Sequence, residues 1–414
     1  MRRRGGLRKR FAILVSLLWL SFGVVHAFGV VHAGEPITIG ETVTIPSKVL
    51  GEERTILVST PPTYDQSSQR YPVLYMTDGG AHLTHTRGTV DFLARLGLMP
   101  QVIVVGVNNT DRTRDLTPTH VASRTIDGRV FESPTSGGAS KFLDFFEQEL
   151  LPYVEDHYRT LPLRFFTGHS FGGLFALNAL FTRPAMFHAL LAVSPSLNWD
   201  DDLPIRQADS FFDGRDELNV TLFVAMADEE EGDPAPTRLD RLEKTLSEAD
   251  TEGFEWAVMR MPDENHGSVV LRAHYWGLRK VFEGWQLPTD EETGRFVGGL
   301  DGIKAHYAGL SKKYGVTVVP DENTVNAIGY QVLGREEFEA AIAIFRYNVE
   351  LYPASANVYD SLGEALENAG RLDEAFVSYS EAVENAAKNG DDRLDIFTAN
   401  RDRAKDLVAQ SKDG

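Results

Sequence analysis

The stretch FFTGHSFGGLFALNAL, residues 165–180, runs a short apolar segment into Gly-His-Ser-Phe-Gly and out again into a helix-like pattern. A serine between two glycines, where a strand becomes a helix, is either a tight turn or a nucleophile. The surroundings favour the nucleophile. Phe165-Phe166 ends a strand, Gly173 follows the motif, and LFALNAL continues as a helix. Gly168-x-Ser170-x-Gly172 is the pattern that presents a serine on a sharp, strained turn. The neighbours of such a serine must lack side chains for the turn to close. The helix that follows aims its free N–H groups back at the serine, where a developing oxyanion can be stabilised.

Working outward, strands and helices alternate on both sides. ITIGETVTIPS (37–47) and RTILVSTPP (54–62) cluster β-branched residues between turn signals. YPVLYMTDGG (71–80), PQVIVVGVNN (100–109), HALLAVSP (188–195) and VTLFVAMAD (220–228) are apolar runs suited to a sheet covered on both faces. FEWAVMRMP (254–262) is a further strand. Helical spacing marks 139–156, 171–182, 238–250 and 269–285. The alternation predicts a doubly wound, mostly parallel α/β sheet with an antiparallel start, over residues 34–286.

Beyond residue 287 the character changes. GVTVVP (315–320) is the one candidate strand there. Val325, Ile328, Gly329, Val332, Ala341 and Phe345 recur 34 residues later as Tyr359, Leu362, Gly363, Leu366, Ala375 and Tyr379. The period and positions resemble tetratricopeptide repeats, with small residues letting paired helices approach. Residues 287–322 read as a connecting helical segment and 323–414 as a small all-α repeat domain, flanked by helices at 301–313 and 391–411. Two repeats bury little, so they lean on those helices or on the main domain. The repeats offer a surface for a protein partner; a plain pair of helical hairpins is the alternative.

The amino terminus is read separately. MRRRGGLRKR (1–10) is basic, and the next 23 residues are almost wholly apolar. This is the pattern of a secretory signal over residues 1–33, with Ala27 or Ala33 closing a Val-His-Ala triplet; an uncleaved anchor is the other reading. Removing it takes six of 41 basic residues, leaving 35 against 60 acidic ones. That surface repels phosphate backbones, which argues against nucleic acid as a partner. With no cysteine, thiol catalysis and Cys-ligated metals are excluded. The chain reads as an exported protein, periplasmic or secreted, with no membrane span in its mature form.

A serine at its free pKa needs a base. In folds that present the nucleophile this way, the histidine comes last in chain order, after the final strand. Of eleven histidines only His266, in PDENHG (262–267), follows a strand and precedes a helix. His274 lies inside that helix and reads as structural, and His169 is expected to point away from the nucleophile. The acid belongs after VTLFVAMA, where Asp228, Glu229, Glu230 and Glu231 stand in a row. The oxyanion donors are expected from the backbone of Phe171 and from Asp78-Gly79-Gly80, with the Gly80 amide favoured.

Taken together, YPVLYMTDGG, NNTDRTRDLTP (108–118), GHSFGG, VSPSLNW (193–199) and ENHGS resemble the Putative esterase family of α/β-hydrolases, over roughly residues 40–285. That family includes esterase D, siderophore esterases and mycolyl-transferring proteins, and RTRDLTP is most similar to the siderophore-esterase branch. The resemblance implies hydrolysis of a small-molecule carboxylic ester through an acyl-enzyme, with no metal or organic cofactor. It implies Glu230 as the acid, three residues after Ala227, although ADEEE lacks the family's usual glycine. It implies Arg112 and Arg114 as candidates for a basic substrate pocket. Pairing with Asp111 and Asp115 is their alternative role. Ser194, Ser196, Asn198 and Trp199 are implied as pocket-lining residues. Two other functions stay open: a non-catalytic scaffold using the repeats, and acyl transfer at the same serine.

Overall fold

The β-branched and apolar runs form one eight-stranded sheet. In the computed structural model, residues 36–66, 69–126, 128–229 and 237–413 are described. The signal segment at 1–33 lies outside them. The strands are β1 (Glu41–Ser47), β2 (Glu52–Ser59), β3 (Tyr71–Met76), β4 (Ile103–Val107), then β5 (Ser123–Ile126) and β6 (Arg129–Glu132), which pair only with each other. The remaining strands are β7 (Thr160–His169), β8 (Ala189–Val193), β9 (Thr221–Ala227) and β10 (Glu255–Met261). The sheet order is β1-β2-β4-β3-β7-β8-β9-β10. β1, β2 and β4 pair antiparallel and every other neighbour pair is parallel. This is the mixed, doubly wound α/β sheet expected from the alternation.

Successive residues of each central strand feed opposite faces. Leu74, Met76, Phe165, Leu191 and Phe223 enter one core, while Val73, Tyr75, Phe166, Leu190 and Leu222 enter the other. The first core is covered by α1 (Gly79–Arg95) and α8 (Val269–Val281). The second is covered by α3 (Ala139–Phe145) and α4 (Leu151–His157), joined by a π-helical turn, and by α5 (Phe171–Thr182), α6 (Leu203–Phe212) and α7 (Arg238–Glu248). The short α2 (Arg112–Leu116) lies between β4 and the β5–β6 hairpin in sequence.

The carboxy-terminal region is all helix: α9 (Gly299–Tyr314), α10 (Glu322–Leu333), α11 (Phe338–Leu351), α12 (Ala356–Asn368), α13 (Leu372–Asn389) and α14 (Leu394–Asp413). The 34-residue period is visible as geometry. A Cβ on Gly329 would sit 2.5 Å from the Phe345 ring, and one on Gly363 2.7 Å from the Tyr379 ring. The same close approach therefore recurs in both helical hairpins. These helices do lean on the sheet domain. Tyr307, Leu310 and Tyr314 share a buried cluster with Phe165, Phe282 and the repeat residues. The Tyr314 hydroxyl donates to the Val281 carbonyl at 2.8 Å. Residues 39–414 accordingly form one compact unit.

GVTVVP is not a strand. Val318 is buried, but its N–H donates to the Ser311 hydroxyl at 2.9 Å, and its carbonyl accepts from that hydroxyl at 3.2 Å. A side chain of α9 has taken the place of a strand partner.

A row of histidines lies between α1 and α8. His82, His85 and His274 have ring centroids 5.2–6.5 Å apart, and His82 lies 5.8 Å from His169. The ring nitrogens of His274 meet the hydroxyls of Thr86 at 3.0 Å and Thr167 at 3.1 Å. His274 is thus structural, as its place in the helix suggested. Burial holds His82, His85 and His274 below the ordinary histidine value, and burial together with the neighbouring His266 brings His169 to about 4.

Gly329→Ala should cost about 1–3 kcal/mol in denaturant unfolding, because the added methyl meets an aromatic ring. Gly309→Ala, at an exposed mid-helix site with nothing within 4 Å, should instead gain roughly 0.4–1 kcal/mol. The histidines give a pH dependence. Held neutral in the fold, they take up protons on unfolding, so stability is fully present above about pH 6.5 and is lost as pH falls toward 4. The urea midpoint should be lower at pH 5 than at pH 7; an equal or higher midpoint at pH 5 would contradict it.

Candidate active site

At the end of β7 the backbone turns through Ser170, which has φ 61° and ψ −116°, before α5 begins at Phe171. A non-glycine residue rarely adopts that conformation, and it is held by hydrogen bonds on both sides. The Ser170 N–H donates to the Val193 carbonyl at 2.9 Å, and its carbonyl accepts from Leu174 N–H at 2.9 Å. The glycines are required by space. A Cβ on Gly168 would lie 2.2 Å from the Gly172 carbonyl oxygen, and one on Gly172 would lie 2.4 Å from Thr77 Oγ1. The second contact also shows how closely the loop after β3 packs on the elbow.

That loop begins with Asp78, in the left-handed region at φ 55°, immediately before α1. Gly79 and Gly80 open α1, and Phe171 and Gly172 open α5. First-turn N–H groups have no acceptor within their own helix. Two helix starts are therefore brought together beside Ser170, with the expected donors Gly80 and Phe171 one on each. Arg112 fastens them. Its guanidinium donates to the Asp78 carboxylate at 2.7 and 3.1 Å and to the His169 carbonyl at 3.0 Å, and it lies 5.4 Å from the Phe171 ring centroid.

Arg112 was expected in a substrate pocket, or paired with Asp111. Its ion pair is with Asp78, not Asp111, and it is also bonded to the elbow. Arg114 belongs to a structural network, donating to Glu52 at 2.6 Å and to Asp115 at 2.7 Å, with Arg54 also bonded to Asp115. The Asp115 pairing expected for it is present. Trp199 corrects another expectation. It is 0 % exposed, so it lines no open surface. Its indole N–H donates to Thr119 Oγ1 at 3.0 Å, and its ring packs edge-on behind Phe171 at 5.4 Å.

His266 lies in the loop between β10 and α8, and its ring meets that of His169 at 4.5 Å between centroids. His169, which directly precedes Ser170, is thus packed on His266. The Nδ1 of His266 is 2.6 Å from a carboxylate oxygen of Glu229. Glu230, the acid expected from the family's spacing, lies outside the described residues; the carboxylate on the imidazole is its neighbour. The physical reason is where the strand ends. β9 stops at Ala227, and Asp228 N–H is tied to the Glu264 carbonyl at 3.0 Å, which joins the acid loop to the histidine loop. The next side chain, two residues after Ala227, is then the one that reaches His266. Burial pushes the Glu229 carboxyl up, but hydrogen bonds from His266 and Ser194 outweigh it and hold the group below the usual range.

Ser194 is a residue whose role the sequence did not convey. Expected in a pocket wall, it is 1 % exposed, with φ 39°. Its Oγ accepts from Ala227 N–H at 3.2 Å while its hydroxyl serves Glu229. It directly follows β8, which pairs with β9.

Residues 47–253 match the family described as Putative esterase. The ferri-bacillibactin esterase of Bacillus subtilis is 30% identical over 239 residues, which are 53% of this chain and 82% of that protein. The siderophore enterobactin esterase of Emericella nidulans is 33% identical over 169 residues, 36% of this chain and 54% of that protein. Among solved structures, an IroE-like serine hydrolase from Shewanella oneidensis superposes with a TM-score of 0.68 at 27% identity, covering 75% of this chain and 99% of its own. The chain belongs to the Putative esterase family of α/β-hydrolases and is a carboxylic ester hydrolase.

Proposed function

We propose that this enzyme hydrolyses its ester through an acyl-enzyme formed on Ser170, with His266 as the base and Glu229 as the acid that orients it. The observation that carries the reading is the 2.6 Å bond from His266 Nδ1 to Glu229, made beside the strained elbow that presents Ser170. The bond fixes the tautomer that leaves Nε2 free to accept a proton. Ser170 Oγ attacks the ester carbonyl carbon as its proton passes to His266. The carbonyl oxygen becomes an oxyanion, held by the amides of Gly80 and Phe171. The intermediate collapses, the C–O bond to the alcohol breaks, and His266 returns the proton to the departing alkoxide. Water then attacks the acyl carbon by the same route in reverse, releasing the acid and free Ser170.

The natural substrate is proposed to be a siderophore-like ester, a reading supported by the ester classes in the names of the two relatives. The basic-then-apolar amino terminus supports export, to periplasm or medium. Among the described residues no helix is long and apolar enough to cross a membrane.

Ser170→Ala should lower kcat on p-nitrophenyl butyrate by at least about 10³-fold and abolish labelling by a fluorophosphonate. Glu229→Gln should lower kcat by about 10²- to 10⁴-fold, and Glu230→Gln by no more than about twofold. The reverse ranking would move the acid back to the expected position. Arg112→Lys, which keeps the charge but loses the fork between Asp78 and His169, should lower kcat about ten- to a hundredfold with KM nearly constant. A rise in KM alone would return Arg112 to the substrate pocket.

A further inference from the structure

We propose that Arg124 is an anion-recognition subsite of this active site, so that the enzyme prefers esters carrying a negatively charged group. This rests on the placement of the site at Ser170 argued above.

The starting observation is an uncompensated charge. Arginines around the elbow are otherwise consumed: Arg112 by Asp78, Arg114 by Glu52 and Asp115, and Arg54 by Asp115. Arg124, on β5, is paired with no carboxylate among the described residues, and its buried Nε has no hydrogen-bond partner. Its guanidinium lies 5.0 Å from the ring centroid of Phe171, the residue after Ser170, and 4.6 Å from that of Trp199. Two aromatic faces hold the cation in place without neutralising it. Burial pushes its guanidinium down from the ordinary arginine value, with no acid nearby to offset it.

Partial burial of an unpaired cation is unfavourable, and such a group persists where binding uses it. Arginine's planar fork is suited to a carboxylate or a similar delocalised anion. The need for it is also legible in the chain. A protein with net charge −19 repels anionic ligands in general, so an anionic substrate requires a local, uncancelled positive charge at the site. In register directly across the β5–β6 hairpin from Arg124 stands Phe131, which is 46 % exposed. Directly opposed residues on paired strands share one face. The hairpin thus offers a cation and an apolar ring side by side, which fits an anion carried on an apolar body.

The test compares two esters of similar size, anionic mono-p-nitrophenyl succinate and neutral p-nitrophenyl butyrate, on the full chain and on Arg124→Gln. The ratio of their kcat/KM values, anionic over neutral, should fall about ten- to a hundredfold in the variant, the loss expected for one charge-assisted contact. Arg124→Lys should recover part of the ratio, and 0.5 M salt should shrink the wild-type preference. The melting temperature of Arg124→Gln should equal or exceed that of the wild type, which a merely structural arginine would not allow. An unchanged ratio overturns the subsite while leaving the esterase mechanism standing. Binding of the non-hydrolysable amide succinanilate, measured by calorimetry, separates the two ideas. Arg124-dependent binding without any ester turnover would keep the subsite and sink the mechanism. Equal binding of succinanilate to wild type and Arg124→Gln would overturn the subsite.

Discussion

The constraint on which the site depends is the backbone of one residue. Ser170 sits at φ 61° and ψ −116°, outside the regions an ordinary side chain prefers. That conformation is imposed by β7 pairing with β8 on one side and by α5 packing under the sheet on the other, with Ser170 N–H donating to the Val193 carbonyl and Leu174 N–H donating to the Ser170 carbonyl. The strain is concentrated at one position because glycines take every neighbouring place where a Cβ would collide. The result is a serine held between the end of β7 and the start of α5.

Around that point, segments distant in sequence are fastened together by polar contacts. Arg112 joins the Asp78 loop to the elbow, Asp228 joins the acid loop to the histidine loop through Glu264, and Ser194 joins the end of β8 to Glu229. Each contact involves residues more than thirty positions apart in sequence. The strand ends are adjacent, so the sheet supplies the approximate placement and the hydrogen bonds refine it. This is the usual location of chemistry in an open parallel sheet, at the carboxyl ends of the strands.

The helical appendage obeys different physics. Its repeats place glycine against an aromatic ring twice, at a spacing of 34 residues, and its first helix brings Tyr307, Leu310 and Tyr314 to the face of the sheet domain. One buried cluster runs from β7 through α8 into the repeats. Apolar area that two repeats could not bury alone is buried against the enzyme domain, which explains how so short an array is stable.

Sequence alone determined most of the elements and their order, and singled out Ser170 and His266. These follow from short-range rules: the period of apolar residues, the glycines a strained turn demands, and the one histidine lying between the last strand and its helix. It also put four carboxylates in a row after β9, and where that strand ends decides that Glu229 meets His266, the expected Glu230 lying outside the described residues. The strand expected at GVTVVP was lost for a similar reason, because a serine on α9 satisfied its backbone. Tertiary structure alone decided which carboxylates Arg112 and Arg114 meet, and that Trp199 and Ser194 are buried. Such facts depend on pairings between residues distant in the chain, and no local periodicity encodes which of several charges or polar groups will meet.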